Sequence, residues 1–310
     1  MLFNSIDFAV FLPVVFIVYW FVLSKNLKLQ NLFVVVASYV FYGWWDWRFL
    51  SLILFSTLVD YYVGVKLSKQ NNQTQRKILL LTSIVINLGF LGFFKYYNFF
   101  TESFIEAFSF FGSKIQPYTL NIILPVGISF YTFQTLSYSI DVYKRKLEPT
   151  KDFIAFAAFV SFFPQLVAGP IERAANLLPQ FFKNRHFTYL AFSEGMKLII
   201  VGFFMKLVVA DRAAIYVNAV YNNIYNHEGL TFIAATILFA FQIYGDFAGY
   251  SLIAIGTARL FGFSLMVNFN RPYLATSVGE FWKRWHISLS TWFKDYLYIP
   301  LGGNRVRYRR

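Results

Sequence analysis

Apolar residues in this chain come in blocks of about twenty, the length that crosses a bilayer as a helix, separated by short polar and basic stretches. The first block runs from Phe8 to Leu23 and is followed by Lys25 and Lys28. A second, Leu29 to Tyr42, ends in Gly43-Trp44-Trp45-Asp46-Trp47-Arg48, an aromatic belt of the kind found at membrane surfaces. A third, Phe49 to Val65, contains Asp60 and leads into a polar loop, Lys66 to Lys77, rich in Asn and Gln. A fourth, Ile78 to Phe100, is long enough to span with some tilt. Thr101 to Asn121 reads as an amphipathic piece outside the membrane. Ile122 to Ile140 reads as a span broken by Pro125 and Gly127, leading to Lys144-Arg145-Lys146.

The second half is less regular. Phe153 to Val167 is short for a span, holds Pro164 and has basic flanks on both sides. Those features predict a re-entrant segment, because irregular backbone survives at membrane depth only where protein covers it. Arg173 to Tyr189 is polar, and Met196 to Val209 is apolar around Lys206. Thr231 to Phe263 is long enough for two helices, with an interruption expected at Tyr244-Gly245-Asp246. Ser264 to Arg310 is aromatic and basic, and not apolar enough to span conventionally. No repeat or linker divides the chain, so residues 1–310 read as one membrane domain, an all-α polytopic bundle with re-entrant segments.

Composition agrees. The chain is 57% hydrophobic, 22% aromatic and 14% charged, whereas soluble domains carry roughly a quarter charged residues. The formal charge of +13 would suggest nucleic acid in a soluble protein. Here the bases sit in short segments between apolar runs, which points to topology control and anionic lipid, with no nucleic-acid partner. Their alternation places the N-terminus outside and the loops at Lys25 and at Lys66 to Lys77 in the cytoplasm. The absence of cysteine removes disulfide and thiolate chemistry. Met1 is followed by apolar sequence without a basic n-region or an A-x-A site, so the first block is expected to be a retained span.

Ionisable residues within apolar segments are few, and each costs roughly 2.5–3.5 kcal/mol at a helix centre on insertion scales. Asp60, Lys95 and Lys206 are expected to snorkel or to form structural ion pairs. Asp246, in QIYGDFAGY between two glycines, is expected to mark a helix break with a functional or gating role. His186 and His227 lie in polar stretches and read as surface residues. No HExxH pair, Cys/His cluster, phosphate-binding glycine loop or GxSxG elbow occurs.

What remains is Glu280 to Gly303, EFWKRWHISLSTWFKDYLYIPLGG. As one helix from Glu280, it pairs Glu280 with Arg284 and sets His286 between Trp282 and Ser290 on one face. Two readings of His286 stay open on this pattern: an acid/base catalyst near neutral pH, or a hydrogen-bonding residue in an interfacial helix. Acyl transfer would need little beyond a histidine that takes a hydroxyl proton. Proton-coupled transport would need as little.

Five stretches, in order along the chain, resemble the membrane-bound O-acyltransferase family. They are Pro125 to Lys146, Ser161 to Phe181, Gly202 to Arg212, Gln242 to Phe263 and Asn268 to Arg305. The long run RWHISLSTWFKDYLYIPLGG carries most of the likeness, which is greatest to the alginate O-acetylation branch and weaker to teichoic-acid D-alanyl transfer proteins. The resemblance implies a helical membrane enzyme with a central tunnel, moving an acyl group, acetyl in this branch, onto a hydroxyl. The implied donor is an acyl thioester, an acyl-CoA or acyl carrier acting as co-substrate, with no bound cofactor or metal. The implied partners are a periplasmic acetyltransferase or an exported polysaccharide, and the implied location is a bacterial inner membrane. By its place in the motif His286 is a catalytic residue but not the sole base, positioning or polarising a reacting group beside a second histidine. Asp246, Lys283, Arg284, Trp285, Ser290 and Asp295 fall on supporting or substrate-path positions, with Ser288 and Trp292 as motif neighbours. Leu252 departs from the acidic residue many relatives carry after G-Y-S. The family's main catalytic histidine lies in a W-H-G motif on a later helix. These 310 residues contain no Trp-His-Gly, so the chain is expected to be C-terminally incomplete. The rival expectations are a transporter or flippase working through Asp246, or a non-catalytic membrane subunit.

Overall fold

Small polar residues start many of the helices, because their side chains accept from backbone N–H groups that have no partner in the first turn. The computed structural model describes residues 1–110, 124–167 and 169–305. Ser5 caps α1 (Ile6–Ile17), accepting from the Phe8 N–H at 3.2 Å, and the rod continues through a wider π-helical turn, Val18–Val22. Asn26 caps α2 (Leu27–Gly43) in the same way. These two helices fall within a few residues of the hydropathy expectation.

Beyond them α3 (Leu50–Lys69) and α4 (Gln73–Phe110) are longer than expected. The polar Lys66 to Lys77 stretch is mostly helical, and the turn shrinks to residues 70–72. Two features tighten it. Asn72 caps α4, accepting from Thr74 N–H at 2.9 Å. Arg76 is buried and donates to four carbonyls, Leu67 and Gln70 on one side and Val142 and Tyr143 on the other. The expected amphipathic piece from Thr101 starts as the last turns of α4, and its part in 111–121 lies outside the described residues, as do 122 and 123. Gly127 then turns the chain into α5 (Ile128–Tyr143) at φ 77°, with the Leu166 carbonyl where a Cβ would stand. The break read at Pro125 and Gly127 is therefore real.

The expected re-entrant segment is two short helices, α6 (Phe153–Ser161) and α7 (Phe163–Leu166), kinked at Phe162 and buried from Ala155 to Leu166. Protein covers the irregular backbone: Ser38 of α2 accepts from Phe163 N–H at 3.1 Å, and Gln134 of α5 donates to Phe159 O at 2.5 Å. α8 (Ala174–Leu177) follows. α9 (Tyr189–Phe203) runs without interruption through π-helical Phe204–Ala210 into α10 (Asp211–Tyr221), so the short apolar stretch around Lys206 is the middle of a much longer rod.

The interruption expected at Tyr244-Gly245-Asp246 does not occur. α11 (Gly229–Leu260) is one helix of 32 residues. Its glycines serve packing: a Cβ on Gly249 would meet Gly202 O at 2.8 Å, and one on Gly202 would meet Gly249 O at 2.7 Å. Backbone meets backbone there, as small residues permit between membrane helices. Trp20 and Tyr19 close the end of α11 by donating to Leu260 O and Phe261 O at 2.9 and 3.1 Å. After it come α12 (Val278–Arg284) and α13 (Ile287–Phe293), the latter extended by π-helical Lys294–Tyr298. Among the described residues there is no strand. The segments Trp47–Lys69, Gln73–Ser109 and Gly229–Leu260 are long and apolar enough to cross a membrane.

Asp60 neither snorkels nor forms an ion pair. Fully buried, it accepts from Ser83 Oγ, from Asn87 Nδ2 at 2.8 Å and from Ser139 Oγ at 2.8 Å, tying α3 to α4 and α5. Lys95 is exposed on α4 beside the Tyr96 ring.

Candidate active site

The site forms where a non-helical segment, residues 264–271, passes between α11 and the α12–α13 pair. The single helix expected from Glu280 is broken there. α12 stops at Arg284, Trp285 is extended, and His286 takes a left-handed conformation, φ 44° and ψ 55°. That conformation costs a non-glycine residue roughly 1–2 kcal/mol, and the neighbouring backbone holds it. Ile287 N–H donates to Asn268 O at 2.8 Å, and Asn270 N–H donates to Arg284 O at 2.9 Å. His286 therefore does not stand between Trp282 and Ser290. Only a backbone bond, Ser290 N–H to His286 O at 3.1 Å, links it to Ser290, whose side chain is exposed. The expected Glu280–Arg284 pair does form, at 2.5 Å.

The imidazole lies in an aromatic box. Phe247 of α11 meets it edge-on at 4.7 Å between centroids, and Phe269 lies nearly parallel at 6.3 Å. Nε2 is buried with no hydrogen-bond partner among the described residues. Burial pulls the His286 pKa down from 6.5 to about 4, so the ring is neutral at neutral pH. A neutral, unpartnered ring nitrogen can accept a proton or a hydrogen bond. Phe269 also lines a cavity of about 380 Å³ together with Tyr244, Asn268 and Arg271. Leu252 faces the same cavity, so the departure noted in the sequence makes one wall of a substrate-sized void apolar.

A buried polar chain runs behind the histidine. Ile171 N–H donates to Ser288 Oγ at 3.0 Å, Ser288 Oγ donates to Asn268 Oδ1 at 2.9 Å, and Asn268 Nδ2 donates to Ser251 Oγ at 3.0 Å. Two residues before Asn268, the Met266 N–H donates to buried Glu172, which also accepts from Asn176 Nδ2 at 2.7 Å. Burial raises the Glu172 pKa from 4.5 to about 7, against the pull of those bonds and of Arg173.

The other expected site residues divide. Trp285 joins the box, packing on Phe269 at 5.1 Å and Phe281 at 5.5 Å. Arg284 pairs with Glu280, and Lys283 is exposed. Asp295 pairs with Arg173 at 2.6 Å, and its neighbour Tyr296 donates to Asp141 of α5 at 2.7 Å, well along α13 from the histidine. Trp292 donates to Phe133 O at 2.9 Å. Asp246 pairs with Lys206 at 2.5 Å, and Lys206 also holds Asp211 at 2.8 Å. Asp246 precedes Phe247 on α11, but one residue turns the helix by roughly 100°. Its partner is the lysine rather than the imidazole, and no helix break gives it a gate. His186 is exposed and His227 partly so, as expected. Sequence reasoning missed Phe247, Phe269, Asn268 and Glu172. All four lie inside the quoted motif stretches, yet nothing local marks them as neighbours of His286.

A family model described as the membrane-bound O-acyltransferase family matches residues 128–309. The chain is 42% identical to the probable alginate O-acetylase AlgI of Pseudomonas putida and 43% identical to that of Pseudomonas aeruginosa, over 98% of its length in each case. It is 36% identical to the peptidoglycan O-acetyltransferase of Helicobacter pylori over 99% of its length. It spans 62%, 58% and 63% of the lengths of these three relatives.

Proposed function

Because the chain belongs to the membrane-bound O-acyltransferase family, we propose that the protein moves an acetyl group from a thioester donor onto a hydroxyl of a cell-envelope polysaccharide or of a carrier serving it. It is a multi-pass membrane protein. The names of its relatives, alginate O-acetylase and peptidoglycan O-acetyltransferase, supply the acetyl group and the class of acceptor. The observation that carries the reading is His286: neutral at neutral pH, inside the family motif, with Nε2 buried and unpartnered among the described residues, and packed near Phe269, which lines a cavity.

In the proposed step Nε2 accepts the acceptor's hydroxyl proton as that oxygen attacks the thioester carbonyl carbon. The C–O bond forms, the C–S bond breaks, and the departing sulfur takes the proton back from the imidazolium. The products are an ester and a thiol. Phe247 and Phe269 keep water from the ring, so the nitrogen stays a free acceptor until the hydroxyl arrives. We place the protein in a bacterial cytoplasmic membrane with its N-terminus outside, from the alternation of basic loops, and give it a periplasmic acetyltransferase or polysaccharide as partner.

The test is His286→Ala, expressed from the complete reading frame and assayed in membranes with acetyl thioester and acceptor. Transfer should fall by about 10²–10⁴, the usual contribution of a positioned acid/base, while the protein still inserts. Unchanged transfer with intact insertion would remove His286 from the chemistry.

A further inference from the structure

We propose that Asn268 is the positioning residue of the site, holding His286 in its left-handed conformation and aiming Nε2 into the aromatic box. The catalytic half of this inference rests on the function proposed above; the structural half does not.

Asn268 is completely buried, and it grips the start of α13 just after the break. Its carbonyl oxygen accepts from Ile287 N–H at 2.8 Å, the residue directly after the histidine. Its side-chain oxygen accepts from Ser288 Oγ at 2.9 Å, the residue after that. Its amide nitrogen donates to Ser251 on α11, one turn from Phe247. One residue thus holds the histidine's two followers, Ile287 through its backbone carbonyl and Ser288 through its side chain, and the side chain ties Ser288 to the helix that carries the ring's aromatic neighbour. Ser288 passes the constraint on, because its hydroxyl also takes Ile171 N–H. The His286 ring does not hold its own strained φ: among the described residues Nε2 has no hydrogen-bond partner, and the residue's own backbone bond, Ser290 N–H to its carbonyl, belongs to α13. A strained residue persists only when its surroundings over-determine it. Here Asn270 fixes the end of α12 through Arg284 O, and Asn268 fixes the start of α13.

Histidine spectroscopy tests this without reference to activity, since the chain has three histidines. In detergent-solubilised protein carrying isotope-labelled histidine, the His286 imidazole should titrate near 4 in the parent. In Asn268→Ala and in Ser288→Ala it should move up by about one pH unit or more toward its ordinary value, with His186 and His227 unmoved. Ser288→Ala keeps the inference testable if Asn268→Ala fails to fold. Ser137→Ala removes an equally buried hydroxyl that accepts from Ala174 N–H, away from this chain, and should leave the His286 titration in place. In the acetyl-transfer assay both positioning variants should lower kcat by roughly tenfold or more with KM unchanged. A folded Ser288→Ala protein whose His286 titrates as in the parent would overturn the inference, even if His286→Ala abolishes transfer. A His286 signal that shifts in the variants, where the parent itself transfers no acetyl group, would leave the positioning in place and overturn the proposed function instead. A Ser137→Ala shift equal to that of Ser288→Ala would reduce Asn268 to general core stability and overturn its special role.

Discussion

Two buried polar centres in this bundle solve opposite problems. Asp60 sits between α3, α4 and α5 with both carboxylate oxygens bonded, to Ser83, Asn87 and Ser139. His286 sits between α11 and the α12–α13 break with Nε2 bonded to nothing among the described residues. Away from water an unpaired polar atom is costly, and nearly all buried polar groups find partners. The saturated centre therefore stores stability, and the unsaturated one holds an acceptor in reserve. Both residues were candidates in the sequence, and counting partners separates them.

The sharpest way to break this contrast is to delete each centre in turn. His286→Ala should cost at least about a hundredfold in transfer but little in melting temperature, since it removes no side-chain hydrogen bond. Asp60→Ala should do the reverse, costing about 2–4 kcal/mol of stability as three donors lose their acceptor. Asp60→Asn, which restores an acceptor, should cost clearly less. Equal melting losses in the two alanine variants would erase the distinction. Detergent-phase thermal denaturation beside the transfer assay reads both.

A smaller effect comes from pH. The His286 pKa is depressed from 6.5 to about 4, so the unfolded chain binds the proton first, and stability drops as pH falls from 6.5 toward 4. The Glu172 pKa is raised from 4.5 to about 7, so the folded chain holds that proton longer, and stability drops as pH rises from 4.5 toward 7. His286→Ala should flatten the first slope and Glu172→Gln the second in melting curves recorded across that range. On the same grounds the transfer rate should show no acid limb near pH 6.5 belonging to His286. The smallest change is Leu252→Glu. An acid on the apolar wall of the cavity should raise KM by a few-fold with kcat nearly unchanged, as expected when binding alone is altered, in steady-state kinetics.

The bundle was legible where a local signal decides the structure. The apolar blocks Phe8 to Leu23 and Leu29 to Tyr42 mark α1 and α2 to within a few residues, Gly127 marks the break before α5, and Pro164 with basic flanks marks the buried α6–α7 pair. The reading failed where a residue's role depends on a distant partner. Gly245 beside Asp246 looked like a helix break, but that glycine and Gly249 receive the backbone of α9 and its π-helical extension. The motif containing His286 looked like one helix, but Asn270 and Asn268, which precede the histidine by many residues, hold Arg284 O at the end of α12 and the Ile287 N–H at the start of α13. Family resemblance found the histidine from its neighbours in sequence. It did not supply the box of Phe247 and Phe269, which exists only once α11 and the non-helical segment cross.

Arg76 bears on how the chain is assembled. Its four carbonyl acceptors fall into two pairs, Leu67 and Gln70 just before it and Val142 and Tyr143 some sixty-six residues later. During synthesis the first pair is present as soon as the α3–α4 hairpin forms, so the guanidinium can close that hairpin with half its capacity. The remaining donors wait for α5, and the helix that satisfies them is the one that brings Ser139 to Asp60. A single side chain thereby ties the α3–α4 hairpin to the helix that packs on it.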